Sequence, residues 1–528
     1  MGEYKVENQV TYKEVDHFFS EMLGKPDIIY QETDYTLKDT KGRGMLYYPK
    51  CIGNLIHTDA VKRLARILQT GAIIYQFPNM YHTRLEHSKG TYYRTLELLL
   101  KLYSQEDIKE FIHKNHYQKY MIAELVRALL HDVGHAPFSH TMETVCNLPK
   151  GFHEDIGMRL IKEDQQLREA LEKIYPNLAE SIEEVDKRNF LGLNRLFEGQ
   201  IDVDRGDFLP RDSFFANVDV EKNSKIVSEL FNHVSLGKIT DANGKTNIVP
   251  IFDANQIQNI ETFLENRFQN YKNIYYNPKA DSYEFIFKAF ANRLVNGKEE
   301  YKLKKFLAHN INKTPEEVDL QEYVSYDDVE FMKGMIEVSE QTKDPILQKL
   351  ALLSLPSQET VENIFYGLMI SSEQVDEEGN RKNTGESDEI FIQKLIAMKE
   401  KKNLYQEYVT ILNSSHTEDI SIVKEKLKQQ LQISDEELEK IGIISWQKKV
   451  ASYKQKPGEE IYIKDEEGKV YEYTDYPKRK SSIQEETVAA LFILTPLLEA
   501  NGYSNQQIEQ IRAIVEEYNR HLLEEERE

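Results

Sequence analysis

Apolar residues recur at three- and four-residue intervals through much of the chain, the spacing of helices that bury one face. This texture begins near Leu46-Tyr47-Tyr48-Pro49 and runs to about Ser339, with short loops marked by Pro, Gly and Asn. Thr58 is placed to cap a helix from Asp59 to Leu68, with Gly71 ending it. Further helices are predicted up to Leu100, from about Tyr120 to Leu130, and from Phe152-His153-Glu154-Asp155 onward. Residues 1–45 are polar and aromatic without a clear period, and read as an arm or small hairpin. Asp241-Ala242-Asn243-Gly244, between strand-like flanks in 236–250, signals a hairpin. Residues 372–389 are acidic and polar and read as a mobile surface loop. Beyond Ile390 the pattern is mixed: helices around Leu395 and Val423, strands at Ile461-Tyr462-Ile463 and Val470-Tyr471-Glu472-Tyr473, and an amphipathic helix from about Asn505. The expected fold is mainly α: an arm (1–45), a helical domain (46–340) and a C-terminal α+β region with small hairpins (341–528) that builds subunit contacts.

Composition narrows the class. The chain has 528 residues, 40% hydrophobic and 30% charged, which suits globular structure with more than one core. A formal net charge of −22 argues against a dedicated nucleic-acid binder, because phosphate binding rests on clustered Lys and Arg. It leaves room for a local basic pocket. Cys51 and Cys146 are the two cysteines, no disulfide framework for a chain of this length, so a reducing cytoplasm is expected. Met1-Gly2-Glu3-Tyr4-Lys5-Val6 lacks the apolar core of a signal peptide. The apolar run Val488 to Leu498 carries Pro496 and is short of the roughly 20 residues a bilayer needs, so no membrane partner is expected.

One stretch carries the chemistry: His131-Asp132-Val133-Gly134-His135-Ala136-Pro137-Phe138-Ser139-His140, at the end of the apolar helix from Tyr120. Burying such groups unpaired costs roughly 2–7 kcal/mol each, so a core has no use for them. They are better explained as ligands and acid–base groups around a metal. Imidazole and carboxylate are borderline-to-hard ligands, suited to a divalent ion such as Mn, Fe, Zn, Co, Ni or Mg. Upstream, Arg84 and His87 are three residues apart and share one face of a helix that has begun by then.

These residues resemble the HD-domain phosphohydrolase superfamily. Arg84-Leu85-Glu86-His87-Ser88 is similar to an element of that family. The stretch from His131 to His140 is similar, nearly letter for letter, to its deoxynucleoside-triphosphate triphosphohydrolase branch. His153-Glu154 and Asp202-Val203-Asp204 through Arg211-Asp212 extend the likeness, which covers roughly Tyr48 to Lys279. The resemblance implies a metal held by His87, His131, Asp132 and Asp204, with Asp202 a rival ligand and a helix N-cap the other role open to Asp204. It implies hydrolysis of a dNTP to deoxynucleoside and triphosphate, with water attacking the α-phosphorus. His140 or His153 would donate or relay the proton to the leaving oxygen, with Glu143 or Glu154 as the orienting carboxylate. His135 would bond a phosphate oxygen. Imidazole suits this work because it titrates near neutrality. Arg84, Arg205 and Arg267 would clamp phosphates through the planar guanidinium fork. Gln69, Asp212 and Tyr275 would surround the sugar, with the Tyr275 ring excluding a ribose hydroxyl. Phe208 stands where some relatives place Tyr, Thr70 where a larger apolar residue is familiar, and Arg205 where Lys is frequent. The resemblance further implies a homo-oligomer with a dNTP as effector as well as substrate. His82 has no role in this reading and is expected at the surface or in packing.

Two rivals share these residues. One is a phosphohydrolase of a cyclic nucleotide, an alarmone or a monophosphate, which has no need of three arginines. The other is a nucleotide-sensing regulator with weak activity, which has no need of a full ligand set.

Overall fold

The computed structural model describes residues 10–355 except 25, 33–44, 188–192, 198, 219–222 and 241–245. Beyond 355 it describes 409–414, 443–453, 459–480, 485–494, 502–514 and a few isolated positions. The expected loop at 372–389 and the helices around Leu395 and Val423 lie outside the described residues.

The chain opens with α1 (Tyr12–Leu23), the antiparallel pair β1 (Ile28–Glu32) and β2 (Met45–Pro49), α2 (Lys50–Ile56) and α3 (Asp59–Arg63). The central helices are α4 (Arg84–Tyr103), α5 (Glu106–Lys114), α6 (Gln118–Leu130), α7 (His140–Val145), α8 (Phe152–Glu163), α9 (Gln165–Ile174), α10 (Leu178–Lys187), α11 (Asn194–Phe197) and α12 (Val203–Ala216). Next come α13 (Asn223–Asn232), β3 (Val234–Thr240), β4 (Thr246–Asp253), α14 (Ile257–Asn270), α15 (Pro278–Asn296), α16 (Lys302–Asn310), α17 (Leu320–Val324), α18 (Asp328–Gln341) and α19 (Pro345–Leu353). The C-terminal strands are β5 (Val409–Ser414), β6 (Ile443–Ala451), β7 (Tyr462–Lys464), β8 (Val470–Glu472) and β9 (Glu485–Leu494). The molecule is mainly helical with a C-terminal α+β region, as the pattern predicts.

The core is built on α4, α6 and α12. Every residue of α6 from Met121 to Leu130 is buried, and α4 is buried around most of its circumference, including Tyr92, Leu96, Leu98 and Leu99. A helix buried on nearly all sides, its few polar residues such as Glu124 and Arg127 paired, belongs at the centre of a bundle. Here α4 packs against α6 and α12, while α10 covers the outer side of α6. The predicted hairpin is β3–β4, antiparallel from Val234↔Phe252 to Thr240↔Thr246, with its turn outside the described residues. β7 adds to β4 in parallel and β8 to β7 antiparallel, giving the order β3-β4-β7-β8. A separate antiparallel sheet has the order β5-β9-β6. Among the described residues, no helix is long and apolar enough to cross a membrane.

Two local expectations differ from the structure. Residues 12–23 are a helix with a period: Val15, Phe18, Phe19 and Met22 are buried at i, i+3, i+4 and i+7. A capping box of Thr11 and Glu14 starts it, and Gly24 in the left-handed region ends it. The predicted helix 59–68 stops at Arg63 and passes through a 3₁₀ turn, Leu64–Arg66, into extended chain. Ile67 to Gln69 are extended because they bond the segment before α4. Gln69 N–H donates to His82 O (3.0 Å) and Arg84 N–H to Ile67 O (2.9 Å). Thr58 makes no capping bond and donates instead to Leu55 O. Gly71 opens a second 3₁₀ turn at φ +55°, where a Cβ would lie 2.3 Å from Phe138 O.

Candidate active site

Three helix ends meet at one point. His87 lies in the first turn of α4, His131 and Asp132 directly follow α6, and Asp204 lies in the first turn of α12. His87 Nε2 is 3.1 Å from His131 Nε2, 3.0 Å from Asp204 Oδ1 and 3.5 Å from Asp132 Oδ2. His131 Nε2 is 3.3 Å from Asp132 Oδ1 and 3.5 Å from Asp204 Oδ1. Donors about 2.0–2.2 Å from one ion stand roughly 3.0–3.5 Å from each other, so the spacing fits a shared cation.

The tautomers fit as well. His87 Nδ1 donates to Asp207 Oδ2 (2.8 Å) and His131 Nδ1 to Ala128 O (2.9 Å). Both acceptors lack protons, so each Nε2 presents a lone pair to the centre. The two imidazoles and the Asp204 carboxylate then face one point, with Asp132 beside it through Oδ2 toward His87 and Oδ1 toward His131, an arrangement that repels itself unless a positive charge lies between them. With no cation bound a proton takes that place: burial opposes charge on His87, yet the bonds to Asp204 and Asp207 and the charge of Asp132 raise its pKa to about 10, and a metal would displace this proton. These residues therefore fit a divalent cation. Asp202 does not share the point. It is fully buried and caps α12, accepting from Arg205 N–H (2.7 Å), so the geometry separates it from Asp204.

The second group lies on the next wall. Glu143 bridges two histidines, accepting from His153 Nδ1 at Oε1 (2.5 Å) and from His140 Nδ1 at Oε2 (2.9 Å). Burial would raise the Glu143 carboxyl, but these bonds hold it well below its ordinary range. His135 stacks on His153 with ring centroids 3.9 Å apart, and its Nε2 lies 3.3 Å from Asp132 Oδ1. Burial, with Arg84 and His153 nearby, holds His135 well below the usual histidine pKa, so it is neutral. Glu154 is exposed and 4.0 Å from His153 Nε2, leaving Glu143 as the carboxylate that orients the pair. Gly134 permits the stacking. A Cβ there would fall 2.1 Å from His153 O, so only glycine lets α8 approach so closely.

The four residues of the first group and His135, His140 and His153 of the second line a cavity of about 1060 Å³. Gln69, Thr70, Phe208, Asp212 and Tyr275 line it beyond the cation site. Tyr275 closes a π-helical turn, Tyr271–Tyr275, at the end of α14. Such a turn re-aims side chains and is frequent at functional sites. Tyr275 Oη donates to Asp212 Oδ2 (2.5 Å), and His82 Nε2 donates to Asp212 Oδ1 (2.6 Å). His82 is thus buried and holds Asp212 in place. No pattern in the sequence linked positions 82 and 212. Asp207 was also absent from the expected set, although Asp204 and Asp207 are i,i+3 and share a face of α12. Gly90 makes room for it: a Cβ would sit 1.9 Å from Asp207 Oδ1.

The three arginines differ. Arg84 is buried and donates to Asp132 Oδ2 (2.7 Å), Ser139 Oγ (2.9 Å) and Gln69 O (2.8 Å), which makes it a brace for the cation site. Arg205 lines the cavity, pairs with Asp202 and Gly199 O, and keeps its Nε buried with no partner among the described residues. Arg267 lies behind the wall, donating to Gln200 Oε1 (2.6 Å), its guanidinium against the Tyr271 ring.

The HD-domain family profile matches residues 84–204, the span from Arg84 to Asp204. An uncharacterized protein of Bacillus subtilis is 28% identical over 261 residues, covering 48% of this chain and 55% of its own length. The chain thus spans about half of that relative. A Dictyostelium discoideum protein named deoxynucleoside triphosphate triphosphohydrolase SAMHD1 homolog is 24% identical over 275 residues, 48% of this chain and 50% of that protein. The crystal structure of a phosphohydrolase from Bacteroides thetaiotaomicron superposes with a TM-score of 0.59 at 21% identity, covering 88% of this chain and all of that one. Residues 84–204 thus match the HD-domain family, and the chain shares the fold of the Bacteroides thetaiotaomicron phosphohydrolase.

Proposed function

We propose that the chain is a metal-dependent phosphohydrolase that splits deoxynucleoside triphosphates into deoxynucleoside and triphosphate. One observation carries this reading: the His87/His131/Asp204 cluster with Asp132 beside it, and the histidines His140 and His153 held by Glu143, share one cavity with Gln69, Asp212 and Tyr275. A bound divalent cation would activate water and hold a phosphoryl oxygen. Asp207 and Ala128 O aim the two imidazoles, and Arg84 fixes Asp132. Glu143 accepts from both Nδ1–H groups, so His140 and His153 each turn Nε2 away from it. One proton held at Nε2 of this pair is delivered to the leaving 5′ oxygen, a poor leaving group without it. Neutral His135 donates to a phosphate oxygen, and Arg205 supplies charge from the start of α12. Asp212 and Gln69 bind the sugar hydroxyl, and the Tyr275 ring, edge-on to Phe208 at 5.9 Å, is the group assigned to exclude a 2′-hydroxyl.

A second reading is favoured by the arginines. Arg84 is committed to Asp132 and Arg267 is set back, a thinner clamp than three free guanidinium groups. Hydrolysis of another nucleotide ester, a cyclic nucleotide, alarmone or monophosphate, needs no more. One assay decides. The protein with Mn²⁺ is incubated with each dNTP singly and with all four mixed, and products are separated by ion exchange. Deoxynucleoside plus triphosphate is expected, and turnover only in the mixture would reveal a nucleotide activator. Release of phosphate from the other esters alone would establish the second reading.

A further inference from the structure

The cavity continues past Tyr275 into a wall that the reaction does not use. Its polar groups come from α15, α7 and the C-terminal strand β6. Asp281 and Glu284 are one turn apart on α15, and both line the cavity. Lys448, from β6, donates to Asp281 Oδ2 (2.7 Å), and its ammonium lies 4.9 Å from the Tyr276 ring centroid. Thr141 Oγ1 donates to Glu284 Oε1 (3.4 Å). At the junction with the sugar end, Gln69 is 93% buried (7% exposed) and lines the cavity, its Oε1 without a partner among the described residues. Thr70 Oγ1 beside it is unpartnered in the same way. A buried, unsatisfied amide oxygen in a cavity wall costs free energy until a ligand supplies its donor.

We infer that Glu284, Asp281 and Lys448 read the nucleobase of the substrate and select guanine. The inference rests on the nucleotide reading of this cavity and names the substrate within it. Ionised carboxylates accept, and an ammonium only donates; burial beside Asp281 raises the Glu284 pKa to about 7, and N–H donors facing it favour its ionised form. The complementary base edge must carry two adjacent N–H donors for the carboxylates and an acceptor for Lys448. Guanine alone has that edge: N1–H and N2–H₂ beside O6. Adenine and cytosine each offer a single amino donor beside ring acceptors, and thymine offers one N–H between two carbonyls. Ile73 and the Tyr276 ring supply apolar wall for a purine face.

The test measures binding and turnover separately. Binding of the four deoxynucleosides to the full-length protein is measured calorimetrically, and release of triphosphate from the four dNTPs is measured alongside. Wild type is expected to bind deoxyguanosine about tenfold tighter than deoxyadenosine, the order of discrimination one good base contact gives. Glu284→Gln and Lys448→Met should each bring that ratio to within about twofold, with the melting temperature unchanged in at least one of them. Equal binding of all four by wild type, or an unchanged ratio in both variants, would overturn the inference. Release of triphosphate without base preference removes the base-reading wall and leaves the hydrolase. Selective deoxyguanosine binding without triphosphate release keeps the wall and removes the triphosphohydrolase.

Discussion

Asp207 sets how His87 points, and its own position is set in turn. Arg211 holds both of its oxygens (2.9 and 2.8 Å), leaving Oδ2 to accept also from His87 Nδ1. Loss of such an outer partner weakens metal binding roughly 10–100-fold. Asp207→Ala should therefore raise the dissociation constant for Mn²⁺ by that factor in a metal titration, and full affinity would show that His87 needs no support. Asp328 is a different kind of buried carboxyl. It accepts from Leu68 N–H (2.9 Å) and Phe138 N–H (2.6 Å), pinning the chain before the cavity to the turn where Phe138 and Ser139 both take positive φ. Burial pushes its pKa up to about 8 against those bonds, far above its unfolded value near 4. A raised folded-state pKa contributes stability fully present below the unfolded value and lost as pH rises through the folded one. The melting-temperature advantage of wild type over Asp328→Asn should accordingly shrink between pH 5 and 8.5, and an advantage that grows would exclude this account. The His131–His140 stretch was legible because its chemistry is dense and local. His82, Asp207 and Asp328 were not, since each acts on a partner more than a hundred residues away in the chain: Asp212, His87, and Leu68 with Phe138.

Elements are placed by backbone approach, and here glycine matters. Where α8 crosses the loop after α6, Gly134 faces Gly157, and Gly157 N would lie 2.4 Å from a Cβ added at 134. The obstruction is backbone on both counts, so α8 itself would have to move. Gly134→Ala should separate the stacked rings of His135 and His153 while leaving His87 and Asp204 in place. Turnover is expected to fall by two orders of magnitude or more, the scale of a lost proton-transfer group, with Mn²⁺ affinity within a few-fold of wild type. Equal loss of metal and turnover would mean that the two groups of residues form one unit. The same scale shows what pattern reading missed. The α1 helix carried both its signals, Thr11-x-x-Glu14 and an apolar i, i+3, i+4, i+7 set, but polar flanks diluted the period. The helix from Asp59 was overextended because propensity does not register the bonds of Ile67 and Gln69 to the strand-like segment before α4.

At the scale of the whole molecule, the C-terminal region is joined to the helical domain by a sheet. β7 pairs in parallel with β4, from Ile251↔Tyr462 to Asp253↔Lys464, so one ladder contains both halves of the chain. Ile461, Ile463 and Tyr473 are buried in the same apolar core as α4 and α6. Around this seam Arg195 pairs with Glu460 (2.8 Å), Gln200 donates to Glu459 (2.5 Å), and Lys448 reaches Asp281. These contacts cross the boundary at residue 341 that the change of texture in the sequence suggests. Parallel pairing leaves no local turn to hold β7 to β4, so its register depends on what its side chains bury. Ile463 is 0% exposed and central to that contact. Truncating a buried isoleucine costs about 2–5 kcal/mol. If the seam couples the halves, Ile463→Ala lowers the melting temperature of the entire molecule, and calorimetry shows one transition in both proteins. If the C-terminal region folds alone, the variant splits the trace: one transition moves and the other, from the helical domain with its cation site, stays where it was.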